Sequence, residues 1–216
     1  MVQESLRKYK VLLTGFEPFG TPIPEFNPSW ECIKDLNGRS LYGDNHGFEF
    51  EIDCIRLPVE YKEIERIVPT LHSKNIYDYI IHVGQGLPNK IAIETLANSY
   101  GYMKKDNQGY IPETHLVPEK YVKEKKEYHL DCLFDGVKLS EALNQKGFKL
   151  CFPSNDAGRY LCEYTLFCSL AEAKLNNIKS TKALFVHVPI PPSPYPYEAL
   201  TQAIKEIVTQ LPNFEK

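Results

Sequence analysis

The run DYIIHVG at residues 78–84 is apolar almost throughout and closes on a glycine. A strand without polar alternation must be covered on both faces, as a central strand of a parallel sheet is. Such a sheet needs crossover helices, and the chain supplies helix-period segments between its strand-like runs. KVLLTGF (10–16) and KALFVHVP (182–189) read as further strands, and FEFEIDCIRLPV (48–59) as one of alternating polarity. Tyr61, Ile64, Ile67, Val68 and Leu71 recur at helical steps, as do Leu200, Ala203, Ile204, Ile207, Val208 and Leu211.

Between these lie less regular segments. NPSWECIKDL (27–36) is expected to be helical, with Asn27 as N-cap and Pro28 in the first position. KLSEALNQKG (138–147) predicts a helix stopped by Gly147, and FKLCFP (148–153) a strand. SNDAGRYLCEYTLFCSL (154–170) leads into a helix ending near Leu175 at Asn176-Asn177, with capping side chains offered by residues 154–156. Residues 89–101 are ambiguous, a strand being one reading, and residues 102–134 read as a long excursion over the surface. The expected architecture is α/β: one domain over residues 1–216, an open α/β/α sandwich with a mostly parallel twisted sheet. Reactive groups in such sheets collect at the C-terminal ends of strands. That brings the loops 14–20, 84–90, 154–162 and 187–192 to one edge.

A formal net charge of −3 argues against nucleic acid or an anionic membrane surface as partner. MVQESLRKYK, the first ten residues, has neither the apolar length of a membrane span nor the pattern of a secretory leader. Six cysteines are scattered without a CxxC pair, so reduced thiols and a cytoplasmic location are expected. No metal or organic cofactor is expected: zinc-ligand spacing, the dinucleotide fingerprint and the P-loop all fail, Gly84-Gln85-Gly86 lacking its third glycine.

Cys162 follows Ala157-Gly158 near the start of a helix, where the dipole favours a thiolate. Cys168, six residues on, points elsewhere around the helix. Each also reads as a small buried apolar residue. His187 interrupts the apolar run 183–188, and His82 does the same in 80–84; pattern alone does not rank them. Glu94, within Lys-Ile-Ala-Ile-Glu, needs a partner or a solvated face. Phe16 and Phe19 bracket the first strand-end loop, either as walls of a pocket or as core plugs under a turn.

Taken in order, TGFEPFG, NPSWE, HVGQG, IAIE, SNDAGRYLCEYTLFCSL and FVHVP resemble the pyroglutamyl-peptidase I family of cysteine peptidases, from about Val11 to Pro191. The resemblance implies an open α/β/α sandwich and removal of N-terminal pyroglutamate from peptides. It implies Cys162 as nucleophile, His187 as general base and acid, and Glu94 as the residue orienting the imidazole. Phe16, Phe19 and Gln85 are implied to bind the pyroglutamyl ring. Microbial members carry an Arg shortly after the Glu segment; here SYGYMKKDN (99–107) has none, and Lys104 and Lys105 are the nearest cations. The partners implied are pyroglutamyl peptides, acted on by a monomer rather than a tetramer. A catalytically silent relative that binds a peptide or a protein, and a hydrolase of another small lactam or amide, are the alternative readings.

Overall fold

The computed structural model describes residues 6–43, 47–122, 127–148, 150–175, 181–191 and 195–216. In chain order the elements are β1 (Arg7–Phe16), α1 (Pro28–Glu31), β2 (Ser40–Tyr42), β3 (Phe48–Leu57), α2 (Tyr61–Ser73), β4 (Tyr79–Gln85), β5 (Ile91–Glu94) and β6 (Leu96–Asn98). Then come β7 (His129–Asp131), α3 (Gly136–Gln145), β8 (Cys151–Ser154), α4 (Leu161–Leu175), β9 (Lys182–Val188) and α5 (Tyr197–Gln210). Seven strands form one sheet in the order β2-β3-β1-β4-β9-β5-β8, and β6 pairs with β7 outside it. The continuously apolar run at 78–84 becomes β4, central and parallel to both β1 and β9.

The sheet is mostly parallel, with antiparallel pairings at β2–β3 and β5–β9. Because β8 runs parallel to β5, it runs opposite to β9. The loop 154–162 therefore does not leave the sheet at the C-terminal edge of β1, β4 and β9, as the strand-end rule led one to expect. It leaves near the level of Glu94, and residues 155–160 carry the chain back to the head of α4.

Period-two alternation sorts each strand between two cores. Tyr79, Ile81 and Val83 of β4 and Leu184, Val186 and Val188 of β9 pack with residues of α3 and α5. Phe16, Ala183 and Phe185 face the other way, towards α2 and α4. The result is three layers, helix on sheet on helix. No helix among the described residues is long and apolar enough to cross a membrane.

Several segments differ from their sequence reading. The expected helix over 27–36 is one turn, Pro28–Glu31, followed by a 3-10 turn at Lys34–Leu36. Asn27 caps it as expected, its Oδ1 accepting from Ser29 N–H at 3.0 Å. The helix stops because β3 captures the next residues: Gly38 N–H donates to the Ile52 carbonyl, and Cys54 N–H to Asn37 Oδ1. The ambiguous stretch 89–101 is two short strands, β5 and β6. The strand expected at 148–153 is found at Cys151–Ser154, and Lys149 lies outside the described residues, as do Asn176-Asn177 and Pro192.

Residues 102–134 do not simply cross the surface. Tyr102, Val117, Tyr121, Val122 and Cys132 are buried against α4, and Tyr121 donates to Glu172 of that helix at 2.5 Å. Residues 123–126 lie outside the described residues. The cause is α4 itself, which is buried nearly all round, its Glu163 and Glu172 included, so that the sheet covers one face and another layer has to cover the rest.

Candidate active site

The strand register places two of the three expected residues together. On the antiparallel β5–β9 pair, His187 stands opposite Ala92 and Glu94 opposite Phe185, so Glu94 and His187 are diagonal neighbours on one face. The imidazole Nδ1 lies 2.7 Å from Glu94 Oε1. Glu94 is 1 % exposed and His187 9 %, so their bond is shielded from solvent. Cys162, carried on the first turn of α4, borders the same groove as the ring. Burial opposes protonation of His187. The adjoining sulfur and then Glu94 outweigh it, and its pKa is pushed up to about 10.

Two glycines make this approach possible. A Cβ on Gly84 would lie 2.9 Å from Cys162 Sγ and 2.7 Å from the Phe185 ring. One on Gly86 would lie 2.5 Å from the Cβ of His187. The Gly-Gln-Gly run that fails as a nucleotide fingerprint thus clears room for the sulfur and the imidazole.

His82, the rival histidine, is fully buried, with Nδ1 2.8 Å from Thr14 Oγ1. Burial pushes its pKa down to about 3 and holds it neutral in the core. All six cysteines are free. Burial pushes the thiols of Cys54, Cys132 and Cys151 up to about 12, 12 and 11, and raises those of Cys32 and Cys168 as well. Cys168 is wholly inside the core, the unreactive reading of that residue.

Cys162 sits where two recesses meet. On one side is a narrow cleft of about 10 Å³ bordered by Phe16, Phe19, Gln85 and Tyr160, with room for little more than a water. All three residues expected to touch a ring are on its wall. Phe16 is also a core residue, its ring 6.2 Å from that of Phe185, so both readings of it hold. Tyr160, whose ring lies 6.0 Å from that of Phe19, is a wall residue that the sequence does not single out, although it stands two residues before Cys162. On the other side is a groove of about 430 Å³ bordered by His187, Glu94, Leu87, Phe152 and Lys104. Lys104 therefore reaches the site's rim, whereas the Lys105 carbonyl accepts from Tyr160 OH at 3.0 Å.

The start of α4 is not capped by residues 154–156, as the sequence suggested. Ser154 and Asp156 bond within their own turn, Asp156 Oδ1 taking Gly158 N–H. Tyr164 N–H bonds the Tyr160 carbonyl, so Leu161 and Cys162 open the helix and their N–H groups have no intrahelical acceptor. No group of three or more His, Cys, Asp or Glu side chains among the described residues could hold a metal ion. A sulfur, an imidazole bonded to a buried carboxylate, and helix-head N–H groups without intrahelical acceptors are the equipment acyl transfer through a thioester uses.

The chain also matches known proteins. A family model described as pyroglutamyl peptidase matches residues 9–203. The pyrrolidone-carboxylate peptidase of Thermococcus kodakarensis is 34% identical over 187 residues, 83% of this chain and 81% of that protein. The pyroglutamyl-peptidase 1 of Mus musculus is 28% identical over 203 residues, 93% and 88% of the two chains. The solved pyrrolidone carboxyl peptidase from Thermococcus litoralis superposes with a TM-score of 0.79 at 25% identity, covering 95% of this chain and 94% of its own.

Proposed function

The chain belongs to the pyroglutamyl peptidase family, and on that premise we propose that it is a cysteine exopeptidase hydrolysing the amide bond after an N-terminal pyroglutamyl residue. The observation carrying this reading is that Cys162, His187 and Glu94 border one groove, with the carboxylate bonded to the imidazole. With Nδ1 committed to Glu94, the ring's second nitrogen takes the thiol proton, giving a thiolate and an imidazolium. Glu94 holds the ring's orientation and stabilises its charge. The thiolate adds to the pyroglutamyl carbonyl, and the free N–H groups at the head of α4 receive the oxyanion. The imidazolium then protonates the departing amine. A water deprotonated by the same ring releases pyroglutamate from the thioester.

The cleft supplies the selectivity. A pyroglutamyl lactam is flat and uncharged, the shape and polarity suited to a cleft walled by Phe16, which is buried, and by Phe19 and Tyr160, which are half-buried. An open N-terminus would carry an ammonium into the same cleft, where desolvation without a partner costs several kcal/mol, of the order of 2–7 kcal/mol even for a neutral polar group. The leaving peptide lies along the wider groove.

The test is turnover of pyroglutamyl-β-naphthylamide. Cys162→Ala should abolish it, Cys168→Ala should leave most of it, and EDTA should have no effect. Equal loss in both cysteine variants would refute the nucleophile assignment. Tight binding of a pyroglutamyl peptide by the parent chain without turnover would favour the silent-binder alternative.

A further inference from the structure

The residue after Cys162 is a carboxylate with no solvent exposure, Glu163. A buried carboxylate is costly unless it is paired and fully hydrogen-bonded. Oε1 accepts from Asn98 N–H at 3.0 Å and from Asn98 Nδ2 at 2.8 Å. Oε2 accepts from Arg159 N–H at 2.9 Å, and Arg159 Nη1 reaches both oxygens, at 2.8 and 2.7 Å. One side chain thus ties β6, the turn before α4 and the first turn of α4 to each other.

The turn needs holding. Gly158 has φ +93° and Arg159 φ +47°, two successive left-handed residues of which the second carries a side chain. The guanidinium is held from outside as well, lying over the Tyr100 ring at 5.5 Å and 3.0 Å from Asp156 Oδ1. Gly158, Tyr160 and Cys162 border the groove, whereas Arg159 and Glu163 are not among the residues lining either recess. Their effect on a reacting group is therefore indirect.

We infer that Glu163, clamped by Arg159 and Asn98, is a positioning residue that fixes the path from Gly158 to Cys162 and aims the N–H groups at the head of α4. Its pairing with Arg159 also cancels a negative charge that would oppose a thiolate one residue away. This rests on Cys162 being the nucleophile. The other titratable groups around the sulfur are His187 of β9, with Glu94 of β5 behind it, Tyr61 of α2 and Tyr160 of the turn, and Lys104 and Asp156 border the same groove. Tyr102 and Asn98 adjoin Glu163 itself.

The experiment compares the parent chain with Glu163→Gln, Arg159→Met and the double variant. The readouts are the pH dependence of Cys162 alkylation by iodoacetamide, located by peptide mass, and kcat and KM for pyroglutamyl-β-naphthylamide. Glu163→Gln should lower kcat about tenfold to a hundredfold, with KM nearly unchanged. Arg159→Met should leave the carboxylate without its counter-charge, held only by N–H donors, and move the acid limb of alkylation to higher pH. The double variant should return the limb to its parental position while kcat stays low, a restoration that misfolding does not produce. Coincident limbs for the parent and Arg159→Met, or a parental kcat for Glu163→Gln, would overturn the inference. Should Arg159→Met not fold, Arg159→Lys replaces it: the limb should stay and kcat fall, and a moved limb or full kcat counts against the clamp. The alkylation arm uses no pyroglutamyl substrate, so it decides the clamp even if the proposed peptidase reading fails.

Discussion

At the scale of single residues, space is as decisive as chemistry. Cys162 and His187 are conspicuous residue types, but the glycines beside them are read from sequence only as missing parts of other motifs. Their role needs coordinates: a Cβ on Gly86 would lie 2.5 Å from the Cβ of His187, so the residue that holds the ring on Glu94, or the backbone beside it, has to shift. Gly86→Ala should therefore lower kcat by about a hundredfold, the cost of misplacing a catalytic group by an ångström. Turnover of pyroglutamyl-β-naphthylamide measures it, and circular dichroism should show the fold intact. A variant with parental turnover would mean that the ring is not held where the register puts it. Tyr160 escapes a sequence reading for a related reason, since an aromatic residue two before a nucleophile has no spacing that distinguishes wall from core.

At the scale of elements, α4 is the informative case. Its sequence shows no polar face, and Leu166, Phe167, Cys168 and Leu170 are all buried. A helix of that kind cannot lie on a sheet with its back to water. That property predicts a second cover, and residues 102–122 provide one; taking 102–134 as a surface excursion follows its charges and passes over its tyrosines. Tyr121 is 5 % exposed and donates to Glu172, which Lys120 also approaches at 2.8 Å. Tyr121→Ala removes a buried ring and should lower stability by about 3 kcal/mol. Urea unfolding checks it, with the midpoint shifting at constant slope. A shift within error of zero would mean that the cover is loosely attached.

At the scale of the whole molecule, buried histidines set the response to acid. His82 and His72 are buried neutral on the α4 side of the sheet, with pKa values pushed by burial down to about 3 and about 4. In the unfolded chain both titrate near 6.5. Above that pH neither state binds the proton, and nothing is lost. Below it the unfolded chain takes up protons that the folded one refuses, so stability falls as pH drops from 6.5 towards 4. The loss between pH 7 and 5 should be of the order of 2 kcal/mol for each histidine, measured by urea midpoints at the two values. His187 works in the opposite sense: its contribution is complete below pH 6.5 and is lost as pH rises towards about 10, so it does not add to the acid loss. An unchanged midpoint at pH 5 would show that these histidines are not sequestered. The same scale separates what was legible from what was not. Periodicity is a local property, so the chain alone determined the central strand at 79–85, the helices following Tyr61 and Tyr197, the layered architecture and the ordered motifs that name the family. Direction and proximity are not local. That β5 and β8 run against β9, that Glu94 lies diagonal to His187, that Glu163 rather than residues 154–156 secures the head of α4, and that a glycine admits the sulfur were decided by long-range register and packing alone. They depend on pairings between residues tens of positions apart, which no window along the sequence contains.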